Sequence, residues 1–504
     1  MFLHSFGLSV IFILYSLWWW FCMTLEDLIN LLKKYNYSTE EIDYIKNAYK
    51  YADLKHGNQV RQSGEPYITH PLHVSYTLAE LHADVDTIVA GLLHDVLEDT
   101  KTTKEELINE FNNEIANLVD GVTNLSDEEY SSREMAKNAS MRKLLVGATN
   151  DVRIILIKLA DRLHNMQTLQ FKSPEKQKEK ADETLDIFVP VASHIGAYEL
   201  QRDLEDLSFK YLKPDQFHHV SDLKMQFIDS NVSYVYEAMK NYRELLEAHH
   251  LTGSVSLRER NLFSLYNKLQ NGFKINELHN VLAIKVIMKK IMDCYQFFGL
   301  LHLAYKSLDE EFNDYIGNPK TTMYQSIHTS LFITDDRVFQ TRIRTKDMDL
   351  IANRGVAAYW DLDRENAKER MQSAVQEQLD LSQTLKRLDT MYSDDAEFLD
   401  SVKTELFSPS IFVRSLNGKV IELPAGSTPI DFAYKIRRSL GDSMVAVMVN
   451  GEYVPVSYKL KNHDIVKIIV NQSYTVPKYG WGEMAVTSYA RKRIREYNNK
   501  FVNR

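Results

Sequence analysis

Cysteine is nearly absent from this chain: Cys22 and Cys294 are the only two in 504 residues. That excludes a disulfide framework and a thiolate metal site, and it suits a reducing compartment, so a cytoplasmic protein is expected. An excess of positive charge is lacking too. A net charge of −9 and a pI near 6.0 exclude a general nucleic-acid binder, and DNA is not an expected partner. The basic run from Tyr489 to Arg495 reads as a solvated helix face. Long apolar runs are missing except at one end. Phe6 to Cys22 is apolar almost throughout and carries Trp18, Trp19 and Trp20. It is short for a membrane span of ~20 residues. It also lacks the basic start of a signal peptide, since no Lys or Arg precedes Lys33. Met23 then opens a helix start in which Thr24 and Asp27 are spaced as in a capping box. Met23 is therefore the expected true start, with residues 1–22 an apolar extension of upstream sequence read through. A single-pass anchor is the alternative.

What is present is ample for several domains: 504 residues with 44% apolar side chains. Ionisable residues concentrate in three short segments. Gly91-Leu-Leu-His94-Asp95-Val-Leu-Glu98-Asp99-Thr100, read as one helix, puts His94 and Glu98 one turn apart, and Asp95 and Asp99 likewise. Lys158-Leu-Ala-Asp161-Arg162-Leu-His164-Asn165-Met166 follows an apolar run and sets Asp161 and Asn165 on one helical face. In the third segment, His56 to Pro71, Ser63-Gly-Glu-Pro reads as a turn, and His70 precedes a proline placed to open the next helix. Bringing His70, His94, Asp95 and Asp161 together gives two imidazoles and two carboxylates. Such a mixed nitrogen and oxygen set suits a borderline divalent metal such as Mn, Fe or Zn, not Ca. Any one motif alone is also what a structural ion network looks like. Three together point to a metal site.

These three motifs resemble the hydrolase half of the RelA/SpoT-homologue family, long enzymes that make and destroy the guanosine alarmones ppGpp and pppGpp. The resemblance runs from about Met23 to about Arg495. It implies an all-α HD-type hydrolase domain over residues 23–215 with one Mn2+ ion, its ligands falling on His70, His94, Asp95 and Asp161. Glu98 and Asp99 match the pair that positions and activates the attacking water. Arg61, Ser63, Tyr67, Asn165 and Thr168 match nucleotide contacts. One departure is Gln62, where the family has lysine after the arginine. The implied reaction is hydrolysis of the 3′-pyrophosphate of (p)ppGpp, with a nearby carboxylate accepting the water proton.

Residues 216–365 resemble the family's α+β, nucleotidyltransferase-like synthetase domain, in a degenerate form. Arg258, Arg260 and Lys268 match the segment that grips donor phosphates, and Tyr324 matches the residue that stacks on guanine. The two carboxylates used for magnesium and for activating the attacking hydroxyl are missing, however: Asn280 and Gln340 stand in their places. Asn353, Asp349, Tyr359 and Thr322-Met323 are further departures. Pyrophosphate transfer depends on magnesium charge, so no synthesis is expected, while the retained residues leave room for a guanine nucleotide.

After a helical linker over residues 366–407, the Asn417-Gly418 step signals a two-residue hairpin, and Thr428-Pro429 leads into a short helix. Residues 408–471 resemble the β-grasp TGS module, and 472–504 read as a helical tail matching only the first linker beyond it. In ribosome-bound relatives the TGS module contacts a tRNA end. Arg437 and His463-Asp464 depart from the family pattern and weigh against a ribosome or tRNA contact here. Two function classes remain, a manganese-dependent alarmone hydrolase and a catalytically weak nucleotide-sensing regulator. The intact metal and carboxylate residues favour the first.

Overall fold

The computed structural model describes residues 23–126, 130–319, 323–334, 336–378, 381–471 and 480–502. The expectations for residues 1–22, and those resting on Lys320, Thr322 and residues 472–479, lie outside the described residues. Among the described residues no helix is long and apolar enough to cross a membrane. Contacts divide the chain into two compact units. One holds the described residues up to Ser126 together with Lys143–Ser382. The other holds those of Asp127–Arg142 together with Gln383–Arg504.

The first unit begins in short, well-capped helices. Thr24 and Asp27 form a reciprocal capping box on Leu25–Lys34, and Ser38 and Glu41 do the same on Thr39–His56, satisfying backbone donors that a helix start leaves free. Two later helices are buried almost all round. In Thr69–Glu80 every residue from His70 to Ala79 is buried, and in Arg153–Gln167 only Asn165 and Gln167 are not. A helix buried on all faces sits at the centre of the domain, so the polar groups it carries inward have lost water and need partners. Pro71 lies in the first turn of Thr69–Glu80, which starts two residues before it. The missing N–H of the proline costs nothing there.

The Gly91–Thr100 segment is not one helix, contrary to the sequence expectation. Val85–Leu93 stops at His94-Asp95 and a short helix resumes at Val96–Asp99. Across the break His94 and Asp95 keep right-handed backbone angles, φ −61 and φ −98.

The α+β part of this unit is a five-stranded mixed sheet in the order β1 (Gly253–Glu259), β2 (Leu282–Met288), β5 (Arg337–Thr345), β4 (Ile327–Thr334), β3 (Asn313–Asp314). Strands β2 and β5 run parallel and the other pairs antiparallel. One face packs Ile284, Val286 and Ile343 against Tyr242 of helix Pro214–Ala248 and Phe297 of helix Ile291–Ala304. Helix Pro214–Ala248 starts two residues before the boundary expected at 216. Beyond the sheet the chain returns to the helices that precede it. Gly355, at φ +56, packs so tightly that a Cβ would meet the Ile195 carbonyl at 2.1 Å. Further on, the Trp360 indole donates to Asp84 Oδ2 at 3.0 Å.

In the second unit, helices Leu381–Met391 and Asp395–Val402 precede a five-stranded sheet ordered β7 (Val420–Pro424), β6 (Ser410–Ser415), β10 (Ile465–Val470), β8 (Met444–Val449), β9 (Glu452–Val454). The parallel β10–β6 pair and helix Pro429–Ile436 across the sheet give the expected β-grasp. The β6–β7 hairpin is not the two-residue form. Ser415 N–H donates to the Lys419 carbonyl and Gly418 N–H to that of Ser415, and only Gly418, at φ +80, is left-handed. A type I′ turn would need Asn417 left-handed as well. The basic run at Tyr489–Arg495 is helical, but it is not simply solvated. Arg495 pairs with Glu397 and Arg491 with Asp400, while Ala490 and Ile494 are buried.

Candidate active site

The break after Leu93 brings His94 and Asp95 to the centre of the helical domain, facing His70 from Thr69–Glu80 and Asp161 from Arg153–Gln167. His70, His94 and Asp161 are all buried and offer ligand atoms within 4.8 Å of one another. Asp95 joins them: its carboxylate oxygens lie 3.6 Å from His70 Nε2 and 3.2 Å from His94 Nε2. His70 Nε2 is 3.2 Å and His94 Nε2 3.8 Å from Asp161 Oδ1. His94 Nδ1 donates to the Gly91 carbonyl at 2.8 Å, and its buried Nε2 has no hydrogen bond among the described residues. An oriented imidazole whose free nitrogen meets two carboxylates in a dry site is how metal-binding histidines are held. The donor set fits a divalent ion. It does not fit calcium, which takes oxygen ligands alone.

Electrostatics agree. Burial disfavours a charged His94, yet the adjacent Asp95 carboxylate raises its pKa to about 9. Burial also opposes ionised Asp161, but Lys158, with Nζ 3.0 Å from Oδ2, keeps that carboxyl well below its usual range. Asp95 is held low, against its burial, by His94. The two carboxylates thus stay ionised in a buried site because positive charge is held close to them.

Around this cluster lie the other expected residues. The Tyr67 hydroxyl donates to Asp95 Oδ2 at 2.8 Å and lies 2.5 Å from Asp99 Oδ2, placing Asp99 one side chain away from the cluster. Glu98 faces elsewhere, its carboxylate accepting from the Asn124 backbone at 3.1 Å and from its amide at 3.0 Å. Arg61 donates to Asn165 Oδ1 at 3.2 Å and to Thr168 Oγ1 at 3.3 Å. Asn165 in turn donates to Asp161 Oδ1 at 2.5 Å, joining this group to the ligands. The Ser63 hydroxyl is enclosed and has no hydrogen-bond partner among the described residues.

Sequence reasoning missed three supporting residues. Lys158 was visible in its motif but unassigned. His164, whose Nδ1 lies 2.8 Å from His70 Nδ1, orients a ligand from 94 positions away. Asn124 has no local signal at all.

The second candidate site is a cavity of about 420 Å³ lined by Arg202, Arg258, Arg260, Lys268, Arg342 and Tyr324 among others. Asn280 accepts from Arg260, and Gln340 Oε1 accepts from Arg342 Nε at 2.9 Å. Tyr324 departs from the expected stacking platform. It is 9% exposed, edge-on to Tyr315 and His328, with its hydroxyl 2.7 Å from His328 Nε2. Met323 beside it sits at φ +62, a left-handed conformation that favours glycine.

Comparison with known proteins matches three segments in order: an HD domain over residues 48–198, the region found in RelA / SpoT proteins over 257–367, and a TGS domain over 411–470. The guanosine-3′,5′-bis(diphosphate) 3′-pyrophosphohydrolase of Aquifex aeolicus is 36% identical over 482 residues, covering 94% of this chain and 67% of that one. The chain belongs to the RelA/SpoT family. A protein named GTP pyrophosphokinase from Myxococcus xanthus is 39% identical over 461 residues, 91% of this chain and 60% of its own. A 3′-pyrophosphohydrolase of Spiroplasma citri is 35% identical over 491 residues, 94% of this chain and 65% of its own. The chain thus spans about three fifths to two thirds of the length of these relatives. Within the RelA/SpoT architecture the buried histidine and aspartate cluster falls in the HD segment, and the arginine-lined cavity draws on the RelA / SpoT region.

Proposed function

We propose that this RelA/SpoT-family protein hydrolyses the 3′-pyrophosphate of guanosine alarmones, (p)ppGpp, to GDP or GTP and pyrophosphate. The observation that carries the reading is the convergence of His70, His94, Asp95 and Asp161, with Asp99 tied to Asp95 through Tyr67. Manganese is the ion assigned to those four residues. Bound there, a divalent ion supplies charge that stabilises a phosphoryl transition state and makes water more acidic.

The remaining work falls to side chains. Arg61, held against Asn165 and Thr168, presents a guanidinium for a phosphate group, and the unpartnered Ser63 hydroxyl is free to bond the nucleotide. Water adds to the phosphorus that carries the ribose 3′-oxygen, and that P–O bond breaks. Asp99 accepts the water proton and later returns it to solvent, and the departing 3′-oxygen takes a proton from solvent to become the ribose hydroxyl. Glu98, whose carboxylate is held by Asn124, is assigned no step in this transfer.

The second module is read as silent. Asn280 and Gln340 cannot supply the anionic ligands that magnesium-dependent transfer needs. The name of the Myxococcus relative makes synthesis the competing reading. Incubating the purified chain with ppGpp and Mn2+, and separately with ATP, GDP and Mg2+, tests both. GDP and pyrophosphate in the first tube with no ppGpp in the second is the expected result.

A further inference from the structure

The amides in the second module have acquired partners of their own. Asn280 Oδ1 and Gln340 Oε1, standing where the family has carboxylates, are taken by the guanidinium groups of Arg260 and Arg342. Magnesium needs an octahedral shell, usually anchored by one or two carboxylates, and does not fit beside two fixed cations. One carboxylate, Glu205, lines the cavity. Its oxygens accept from Gln201 at 2.7 Å and Asn261 at 2.8 Å, and burial pushes its pKa up.

What remains is unmatched positive charge. Arg202, Arg258, Arg260, Lys268 and Arg342 line the same cavity, and none of them forms an ion pair with a described carboxylate. Arg344, which lines the cavity too, shows the contrast, paired with Asp349 at 2.6 Å. Arg258 makes no side-chain hydrogen bond to any described residue. Burial, with Arg342 nearby, pushes its pKa down to about 9, and burial lowers Arg260 and Arg342 as well. Buried, crowded guanidinium groups are costly unless an anion joins them. A neutral amide fixes the direction of a guanidinium without cancelling its charge, whereas a carboxylate does both.

We propose that this cavity binds a polyphosphate anion free of magnesium, with Asn280 and Gln340 as positioning residues that keep Arg260 and Arg342 available to it. The ligand is a chain of two or three phosphates, carried by a nucleotide or as the inorganic anion. This binding rests on the second module being silent in synthesis, and calorimetry in chelator reads it apart from any synthesis assay.

The test titrates inorganic tripolyphosphate into the full chain in EDTA and again in excess Mg2+. Binding in EDTA that weakens at least tenfold with magnesium is expected, because magnesium neutralises the anion. GTP in EDTA forms the second arm: tighter binding than tripolyphosphate assigns the site to a nucleotide, and equal binding to the phosphate chain alone. Arg258→Gln, with its fold checked by circular dichroism, should weaken binding at least tenfold. The near-isosteric double variant Asn280→Asp with Gln340→Glu should do the same in EDTA, since its carboxylates neutralise Arg260 and Arg342. No heat in EDTA, tighter binding with magnesium, heat that survives Arg258→Gln, or an unchanged double variant would each overturn the proposal. Synthesis of ppGpp by the wild-type chain would instead overturn the silent reading, whatever the calorimetry gives.

Discussion

At the residue scale, the ligand cluster is held by bonds the sequence reveals only in part. His70, His94, Asp95 and Asp161 were legible because their motifs combine ligand types at helical spacing. His164 and Asn124 were not, since their contacts bridge 94 and 26 positions and no local pattern encodes such pairs. His94→Ala should abolish Mn2+ binding and hydrolysis together; metal analysis of the purified variant checks the first and product formation the second. Lys158 touches Asp161 and not the proposed metal position, so Lys158→Met should lower Mn2+ affinity by about 10–100-fold without removing a ligand. A metal titration that leaves affinity unchanged would remove Lys158 from the supporting shell. The two acids separate by their partners. Asp99→Asn should keep bound Mn2+ and lose about 10²–10⁴-fold in turnover, the range of a lost general base. Glu98→Gln should also keep the ion, since its carboxylate is held by Asn124 away from the ligands. Loss of metal from either variant would show that residue to be a ligand.

Elements place these residues, and here sequence periodicity misled at the decisive point. Helical spacing from Gly91 to Thr100 suggested one continuous helix, but the chain breaks at His94-Asp95 because tertiary demand for the two side chains overrides local pattern. The β6–β7 turn was mistaken for a similar reason: Asn-Gly suits two turn types, and the φ of Asn417 decides between them. The start of helix Val85–Leu93 is capped by Asp84, which accepts from Thr87 N–H at 2.9 Å and also from the Trp360 indole. Trp360→Phe deletes the indole donor and should cost about 1 kcal/mol. Gly355→Ala is more severe. It sets a Cβ against the Ile195 carbonyl and forces alanine into the left-handed region, so a loss of about 3 kcal/mol or more is expected. Thermal unfolding of the two variants should rank them in that order, and an unperturbed Gly355→Ala would contradict the packing described.

On the scale of the whole molecule, three family modules were legible in sequence because each carries dense local motifs. The division into compact units was not, since residues 130–142 group with the C-terminal unit through contacts that no sequence pattern announces. A bound ion stabilises the state that holds it, so adding Mn2+ to chelator-treated protein should raise the midpoint of thermal unfolding, and His94→Ala should abolish that rise. The central claim is that the HD half degrades alarmones while the other half does not make them. Product analysis after incubation of the full chain with ppGpp and Mn2+ tests it most directly. GDP and pyrophosphate in equal amounts, lost on chelation and restored by Mn2+, is the predicted result; intact ppGpp in the presence of bound Mn2+ would contradict it.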